Sequence, residues 1–227
     1  NLSGVVEASM IPEEHKQHLK EELEKNLQES VRLIVFTQET ECQFCKQTRE
    51  LAEEVATLSD KIKAEVYDFV KDNEKAKECQ VDKVPAIAII GKKDYGIRIY
   101  GIPYGYEFNP FIEAIINVSK GTTDLSEETK QKLKSIDKPV HIQVFVTLTC
   151  PYCSIVSGLA HKFAIENDLI RADIIEVGEF PHLAQKYSIM GVPKVVINEQ
   201  IEFLGALPEE NFLQQILLAQ RPSGMYV

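Results

Sequence analysis

Cys42-Gln43-Phe44-Cys45 recurs in this chain as Cys150-Pro151-Tyr152-Cys153, and each cysteine pair is followed at the same distance by a Val-Pro dipeptide. Forty-three positions separate Cys42 from Pro85, and forty-three separate Cys150 from Pro193. A metal knuckle has no physical reason to keep a distant proline in step with each dithiol, whereas a redox dithiol working beside a fixed backbone loop does. The chain reads as two thiol–disulfide exchange modules in tandem.

Length agrees, since 227 residues divide into two units at roughly 100 to 150 residues per domain. With 44% hydrophobic and 26% charged residues, the composition is that of an ordinary globular protein and excludes disordered and collagen-like classes. The net charge of −10 speaks against nucleic acid or an anionic membrane as partner, because both require Lys and Arg to neutralise phosphate. No apolar run approaches a transmembrane span, and Asn1-Leu2-Ser3-Gly4 lacks the basic flank and apolar core of a secretory signal. Five cysteines, four of them in two close pairs, suit catalytic dithiols in a reducing cytoplasm better than a secreted disulfide scaffold.

The repeat extends beyond the cysteines. Ile11-Pro12-Glu13-Glu14 through Lys20 resembles Leu125-Ser126-Glu127-Glu128 through Lys134 at an offset of 114, whereas the cysteines and prolines repeat at 108. The first unit therefore carries about six extra residues, expected as additional helical turns within Glu21–Glu29. Early glutamates complement the exposed amides of a helix start, and Ser126 is the expected N-cap of the second opening helix. Val31–Thr37 and Val140–Val146 are β-branched runs leading to each dithiol, and helical apolar spacing follows it at Leu51, Val55, Leu58 and at Val156, Leu159, Ala160, Phe163. Further strands are expected at Ala64–Val70 and Ile170–Val177, then short helices leading to Val-Pro. Hairpins follow, Ala86–Ile90 with Ile97–Tyr100 and Lys194–Ile197 with Ile201–Leu204, before closing helices at Tyr106–Lys120 and Glu209–Gln220. The expected units are residues 1–121 and 122–227, joined through the short polar segment Gly121–Asp124.

These residues carry a family resemblance over about residues 11 to 220. Each unit resembles the thioredoxin/glutaredoxin fold, and the pair resembles the tandem protein disulfide oxidoreductases of thermophilic bacteria and archaea. Phe145-Val146-Thr147-Leu148-Thr149-Cys150-Pro151-Tyr152-Cys153 is similar to a glutaredoxin active-site segment, and Gly191-Val192-Pro193 to the family's cis-proline loop. Cys42-Gln43-Phe44-Cys45 departs from the usual intervening dipeptides. The implied fold is α/β: two tandem thioredoxin-like units, each a four-stranded mixed sheet flanked by helices. The implied activity is protein thiol–disulfide exchange, which reduces, forms or isomerises client disulfides without a bound cofactor. Its partners would be client proteins and a separate thioredoxin-reductase-like electron donor.

A thiol at a helix start has its thiolate stabilised by unpaired amides and the helix dipole, so its pKa falls below the ~8.5 of free cysteine. Cys42 and Cys150 are accordingly the expected nucleophiles, and Cys45 and Cys153 the resolving thiols that break the mixed disulfide. In the resemblance, Pro85 and Pro193 hold cis bonds beside the dithiols and leave the Val84 and Val192 backbone to pair with an extended client segment. Glu39 and Glu41 flank Cys42, whereas Thr147, Leu148 and Thr149 precede Cys150. Nearby carboxylates disfavour a thiolate, so Cys150 is expected to be the more acidic thiol and its pair the more oxidising.

Other chemistries fit less well. Structural zinc sites space their cysteine pairs far more closely, so no metal is expected. Leu204-Gly205-Ala206-Leu207-Pro208 lacks the Gly-Gly and acid with which iron–sulfur glutaredoxins hold glutathione. Cys79 has no cysteine partner in the repeat and aligns with Tyr187, which suits a buried apolar position. His141 opens the expected strand that leads to Cys150 and stands about 30 Å from it at about 3.3 Å per residue, which speaks against a protease dyad. Tyr104, Tyr106 and Phe108 are expected to pack the closing helix. Two rival functions remain: a chaperone-like module that grips unfolded segments through the cis-proline surfaces, and an electron relay for a peroxide-reducing system.

Overall fold

The computed structural model describes residues 9–222, so Asn1–Gly4, read above for a secretion signal, lie outside the described residues. The first half runs α1 (Glu13–Asn26), β1 (Val31–Thr37), α2 (Cys45–Ala56), β2 (Ile62–Asp68), α3 (Asn73–Glu78), β3 (Ala86–Ile90) and β4 (Asp94–Tyr100). A 3₁₀ turn, Gly105–Glu107, then leads into α4 (Phe108–Lys120). The second half repeats the order with α5 (Glu127–Leu133), β5 (Val140–Val146), α6 (Pro151–Glu166), β6 (Ile170–Glu176), α7 (Pro181–Lys186), β7 (Lys194–Ile197), β8 (Ile201–Leu204) and α8 (Glu209–Leu218).

The extra residues of the first half fall where the repeat offset puts them, because α1 has 14 residues and α5 has 7. Ser126 caps α5, its hydroxyl accepting the Thr129 N–H at 3.1 Å. β2 and β4 differ most from expectation. β2 ends two residues early because the Asp68 carboxylate accepts the N–H groups of Val70 and Lys71, a turn that competes with the sheet. β4 begins at Asp94 instead of Ile97, since Gly96 takes φ +83 beside a register shift at Ile89/Ile90 that carries the strand through residues with turn character.

Each half contains a four-stranded mixed sheet, and the two merge edge to edge into one eight-stranded sheet of order β2-β1-β3-β4-β6-β5-β7-β8. The joint is parallel, with Ile97 opposite Ala172, Arg98 opposite Asp173 and Tyr100 opposite Ile175. Alternation along the strands sends Leu33 and Val35 to one face and Ile34 and Phe36 to the other. The first face is covered by α1, α2, α4, α5, α6 and α8 through Leu23, Leu51, Phe111, Leu133, Phe163 and Phe212. The second carries only α3 and α7, with Ala76, Cys79, Phe180 and Tyr187 in its core.

Charge is buried at the joint, as burial of ions permits only when they are paired. Arg98 is 1% exposed; its guanidinium donates to Asp94 at 2.5 Å and to the Cys79 carbonyl at 2.8 Å. Asp173 is held between Arg171 and His141, at 3.0 and 2.6 Å, and these partners keep its carboxyl below the usual range despite burial. Tyr104, Tyr106 and Phe108 do not pack as one group. Phe108 joins the core, but Tyr104 and Tyr106 are exposed, because the turn that holds them spends its backbone on the second half. Among the described residues no helix is long and apolar enough to cross a membrane.

Candidate functional site

β1 and β5 both run toward the same edge of the sheet, because β1 is antiparallel to β3, β3 to β4, and β4, β6 and β5 are mutually parallel. Each strand delivers a dithiol to that edge. Cys42 and Cys45 form one disulfide with Cα atoms 5.5 Å apart, and Cys150 and Cys153 form the other with Cα atoms 5.4 Å apart. The first cysteine of each pair is half-buried and the second buried. The antiparallel strands β3 and β7 start at this edge too, immediately after cis peptide bonds at Val84–Pro85 and Val192–Pro193. Topology thus gathers the two cysteine pairs and the two Val-Pro loops on one rim.

The two sites differ in how the helix meets the sulfur. Cys150 is the N-cap of α6, its Sγ accepting the Cys153 N–H at 3.1 Å. Pro151 occupies the first helical position, where a missing amide hydrogen costs nothing. The same Sγ lies 4.0 Å from the Val192 carbonyl oxygen, which brings dithiol and cis-proline loop into contact. In the first unit α2 begins at Cys45 with Phe44 as its N-cap, so Cys42 stands ahead of the helix, after Glu41 at φ 55.

Their surroundings differ as well. The first dithiol borders a groove of about 430 Å³ whose wall includes Glu39, Lys46, Arg49, Asp68 and Lys71. Beside the second is a groove of about 510 Å³ whose wall includes Tyr152, Ile155, Leu159 and Leu207, with Glu113, Lys162 and Glu209 also lining it; Tyr152 is 64% exposed and Leu204 equally open. Between the two dithiols the rim carries Glu176 and Glu179 at the end of β6. Glu179 accepts the Ile102 N–H at 2.8 Å, and burial, helped by the nearby Glu176, pushes its carboxyl up to about 7.

The first half also reaches into the second site, a feature the sequence reading missed. The Tyr106 N–H donates to the Leu148 carbonyl at 3.0 Å, just before Cys150. Gly105 has φ +56 and lies so close that a Cβ there would sit 2.5 Å from the Leu148 oxygen, so the approach requires glycine. The turn then buries Glu107 against α6, where Ser157 Oγ donates to its carboxylate at 3.0 Å. Burial pushes this carboxyl up to about 7. The signal available was polar Ser157 and His161, four residues apart, on the same face of α6 as Cys153. Cys79, by contrast, is buried, and burial pushes its thiol up. Among the described residues no group of three or more His, Cys, Asp or Glu is placed to hold a metal ion.

Comparison with known proteins agrees with this geometry. The thioredoxin domain family matches twice, over residues 31–112 and 140–218. A crystal structure of a protein disulfide oxidoreductase from Aeropyrum pernix K1 superposes with TM-score 0.84 and 32% identity, covering 90% of this chain and 91% of that one. A mutant of AhpF, a component of alkyl hydroperoxide reductase from Enterococcus faecalis, superposes with TM-score 0.83 and 25% identity, covering 91% and 99%. Among curated sequences, an NADH dehydrogenase of Bacillus subtilis is 24% identical over 168 residues, which is 73% of this chain but 30% of that protein. The chain thus spans under a third of the length of that relative. With two domain matches covering most of its length, each containing one CxxC disulfide and one cis-proline loop, the chain belongs to the thioredoxin domain family.

Proposed function

We propose that the chain is a thiol–disulfide oxidoreductase whose two CxxC pairs exchange disulfides with client proteins. Cys42 and Cys150 are the attacking thiolates and Cys45 and Cys153 the resolving thiols. In reduction, the Cys150 thiolate attacks one client sulfur and expels the other as a thiolate, and Cys153 then attacks Cys150 Sγ, releasing the second client sulfur and closing the Cys150–Cys153 disulfide. Two electrons pass to the client. A separate thiol donor of the thioredoxin-reductase type returns them, and the reverse sequence forms client disulfides.

The observation that carries this reading is the contact of Cys150 with both the Cys153 amide of α6 and the Val192 carbonyl. It puts a sulfur beside backbone at Val192–Pro193 that an extended client can pair with, and the cis Val84–Pro85 bond gives the first unit a loop of the same kind. The apolar groove beside Tyr152 favours unfolded segments for the second site, and the charged groove beside Cys42 favours a polar surface for the first. Likeness to the AhpF component of alkyl hydroperoxide reductase supports a second reading, in which the same dithiols relay electrons to redox partners.

Insulin reduction by dithiothreitol separates the two. The parent should accelerate precipitation, Cys150→Ser should lose most of that acceleration, and Cys42→Ser should keep it. A parent no faster than the dithiothreitol background would remove the general oxidoreductase reading and leave the relay.

A further inference from the structure

Both halves leave their last strand in the same way and then diverge. Gly101 and Gly205 each take a positive φ, and each donates its N–H within its own unit, to the Pro85 carbonyl at 3.0 Å and to the Pro193 carbonyl at 2.8 Å. Seven residues after these glycines stand Phe108 and Phe212, both packed into the core, so the two segments align without a gap. Within them the second unit has Pro208 and Glu210 where the first has Tyr104 and Tyr106. The fold therefore does not require aromatic rings at those positions. Yet the first unit carries two, 39% and 51% exposed, in a turn at the middle of the molecule.

That turn has a neighbour at each end. At one end the Tyr104 hydroxyl donates to the Met10 carbonyl at 2.9 Å, beside a groove of about 490 Å³ whose wall includes the apolar Met10, Ile11, Leu19 and Phe108. The polar side chains that also line it, His15, His18, Glu22 and Asn109, include a single carboxylate. The wall is held in place from behind, because Glu54 of α2 accepts the N–H groups of Met10 and Ile11 at 2.8 and 3.1 Å. At the other end the Tyr106 N–H donates to the Leu148 carbonyl at 3.0 Å, two residues before Cys150. Two residues of extended chain span no more than about 7 Å, so the turn adjoins the second dithiol. The residue at the same place before Cys42 is Thr40, which is exposed.

We propose that Tyr104, Tyr106 and the adjoining groove form a client-holding surface that the first unit lends to the second dithiol, and that its occupant is an extended client segment with apolar residues about four to six positions from the reacting cysteine. This rests on the oxidoreductase reading above and narrows its substrate class. The spacing follows from chain geometry. The path from Cys150 runs at most about 7 Å to Leu148, across one hydrogen bond, and at most about 7 Å more from Tyr106 to Tyr104, which four to six extended residues cover at about 3.3 Å each. Tyrosine suits such a surface, since its ring gives broad apolar contact while only two torsions are ordered. A wall already fixed by Glu54 spares the client the cost of ordering it. Continuity with Cys150 selects the occupant. A partner seated there permanently would cover the approach to the dithiol, whereas a client arrives and leaves with its sulfur.

The test uses the full chain with Cys42 and Cys45 replaced by Ser, so that only the second site reacts. Two synthetic peptides each carry one cysteine joined to thionitrobenzoate in a mixed disulfide. One has Leu and Phe about four to six positions to either side of the cysteine, and the other has Ser and Gly there. The reduced dithiol turns either substrate into peptide thiol and thionitrobenzoate anion while the Cys150–Cys153 disulfide closes, and the absorbance of the anion reads the rate. The parent should use the apolar peptide with kcat/KM about 10-fold higher, through a lower KM. Tyr104→Ser combined with Tyr106→Ser should cut that preference to about twofold or less, by raising KM for the apolar peptide. A structural role alone would lower kcat/KM for both peptides alike and keep the preference, which would overturn the proposal. Tyr106→Ser by itself leaves the Tyr104 hydroxyl and the backbone bond to Leu148 in place; it should at least halve the preference, and it decides the matter if the double variant fails to fold. Equal use of the two peptides by the parent would also overturn the proposal and leave the oxidoreductase reading untouched. A parent dimer in sedimentation that the double variant loses, together with equal use of the peptides, would assign the surface to a second copy of the chain instead. A parent that releases thionitrobenzoate from neither peptide would remove the oxidoreductase reading and this proposal with it.

Discussion

At the scale of single residues, the two cysteines proposed to attack, Cys42 and Cys150, occupy unequal positions. Cys150 caps α6 and its sulfur already accepts an amide N–H, the contact that a thiolate would strengthen. Cys42 stands before α2, among the exposed Glu39 and Glu41, and the ion pair of Lys71 with Glu39 offsets only part of that charge. In variants retaining one site each, thiolate absorbance should therefore show Cys150 titrating at lower pH than Cys42, and its pair with the higher reduction potential. Equal titration midpoints would reject the asymmetry. Glu107 and His161 also make opposite contributions to stability. The unfolded chain releases the Glu107 proton near 4.5, whereas the fold keeps it to about 7, so stability falls as pH rises through that window. Unfolded His161 is protonated below 6.5 but folded His161 stays neutral down to about 4, so stability rises with pH there. Replacing Glu107 with Gln should remove its share of the first slope, leaving that of Glu179, which is also held up to about 7. The stability of Glu107→Gln relative to the parent should climb by about 3 kcal/mol between the two Glu107 values, read from urea denaturation at each pH. A difference flat in pH would reject it.

At the scale of elements, the sequence was legible wherever one element could be compared with its repeat. The strands leading to the dithiols, the spare turns of α1 and the Ser126 cap all follow from local chemistry and a shift in offset. β4 was less legible because Asp94 and Gly96 carry turn chemistry that only pairing with β3 overrides. The joint of β4 with β6 was not legible at all. Arg98 and Asp173 look like solvated residues of edge strands, and nothing local says that each finds its partner in burial. Glu107 was invisible for the same reason. A glutamate ahead of a closing helix reads as a first-turn carboxylate, and only the merging of the two sheets puts α6 over it. Sequence periodicity reports what an element does with its own faces; it is silent on which unit covers them.

At the scale of the whole molecule, one sheet holds both redox rims. Four strand intervals separate β1 from β5, which is about 19 Å at about 4.8 Å each, on the same edge and with the acidic Glu176 and Glu179 between. The two dithiols work as stations along one rim, with neighbouring backbone at Val84 and Val192. The way the halves join has a further consequence. β4 pairs with β6, which are unlike edges of the repeat, so the relation between halves is a displacement and not a closed twofold. The outer edges, β8 and β2, are the same unlike pair again, and in principle another molecule could extend the series without limit. The register distinguishes the two kinds of edge. At the internal joint Arg98 stands opposite Asp173 in register; the matching positions on the outer edges are Glu202 and Glu65, both acidic, paired on their own edges with Lys194 at 3.2 Å and Arg32 at 2.7 Å. β8 is also only four residues long, which offers little to pair with. Glu202→Arg should restore complementarity and give larger species than the parent in sedimentation at equal concentration, and identical profiles would reject this. The inner seam thus carries a register of charge that the outer edges do not repeat, so the same kind of strand edge is joined in one place and left open in another.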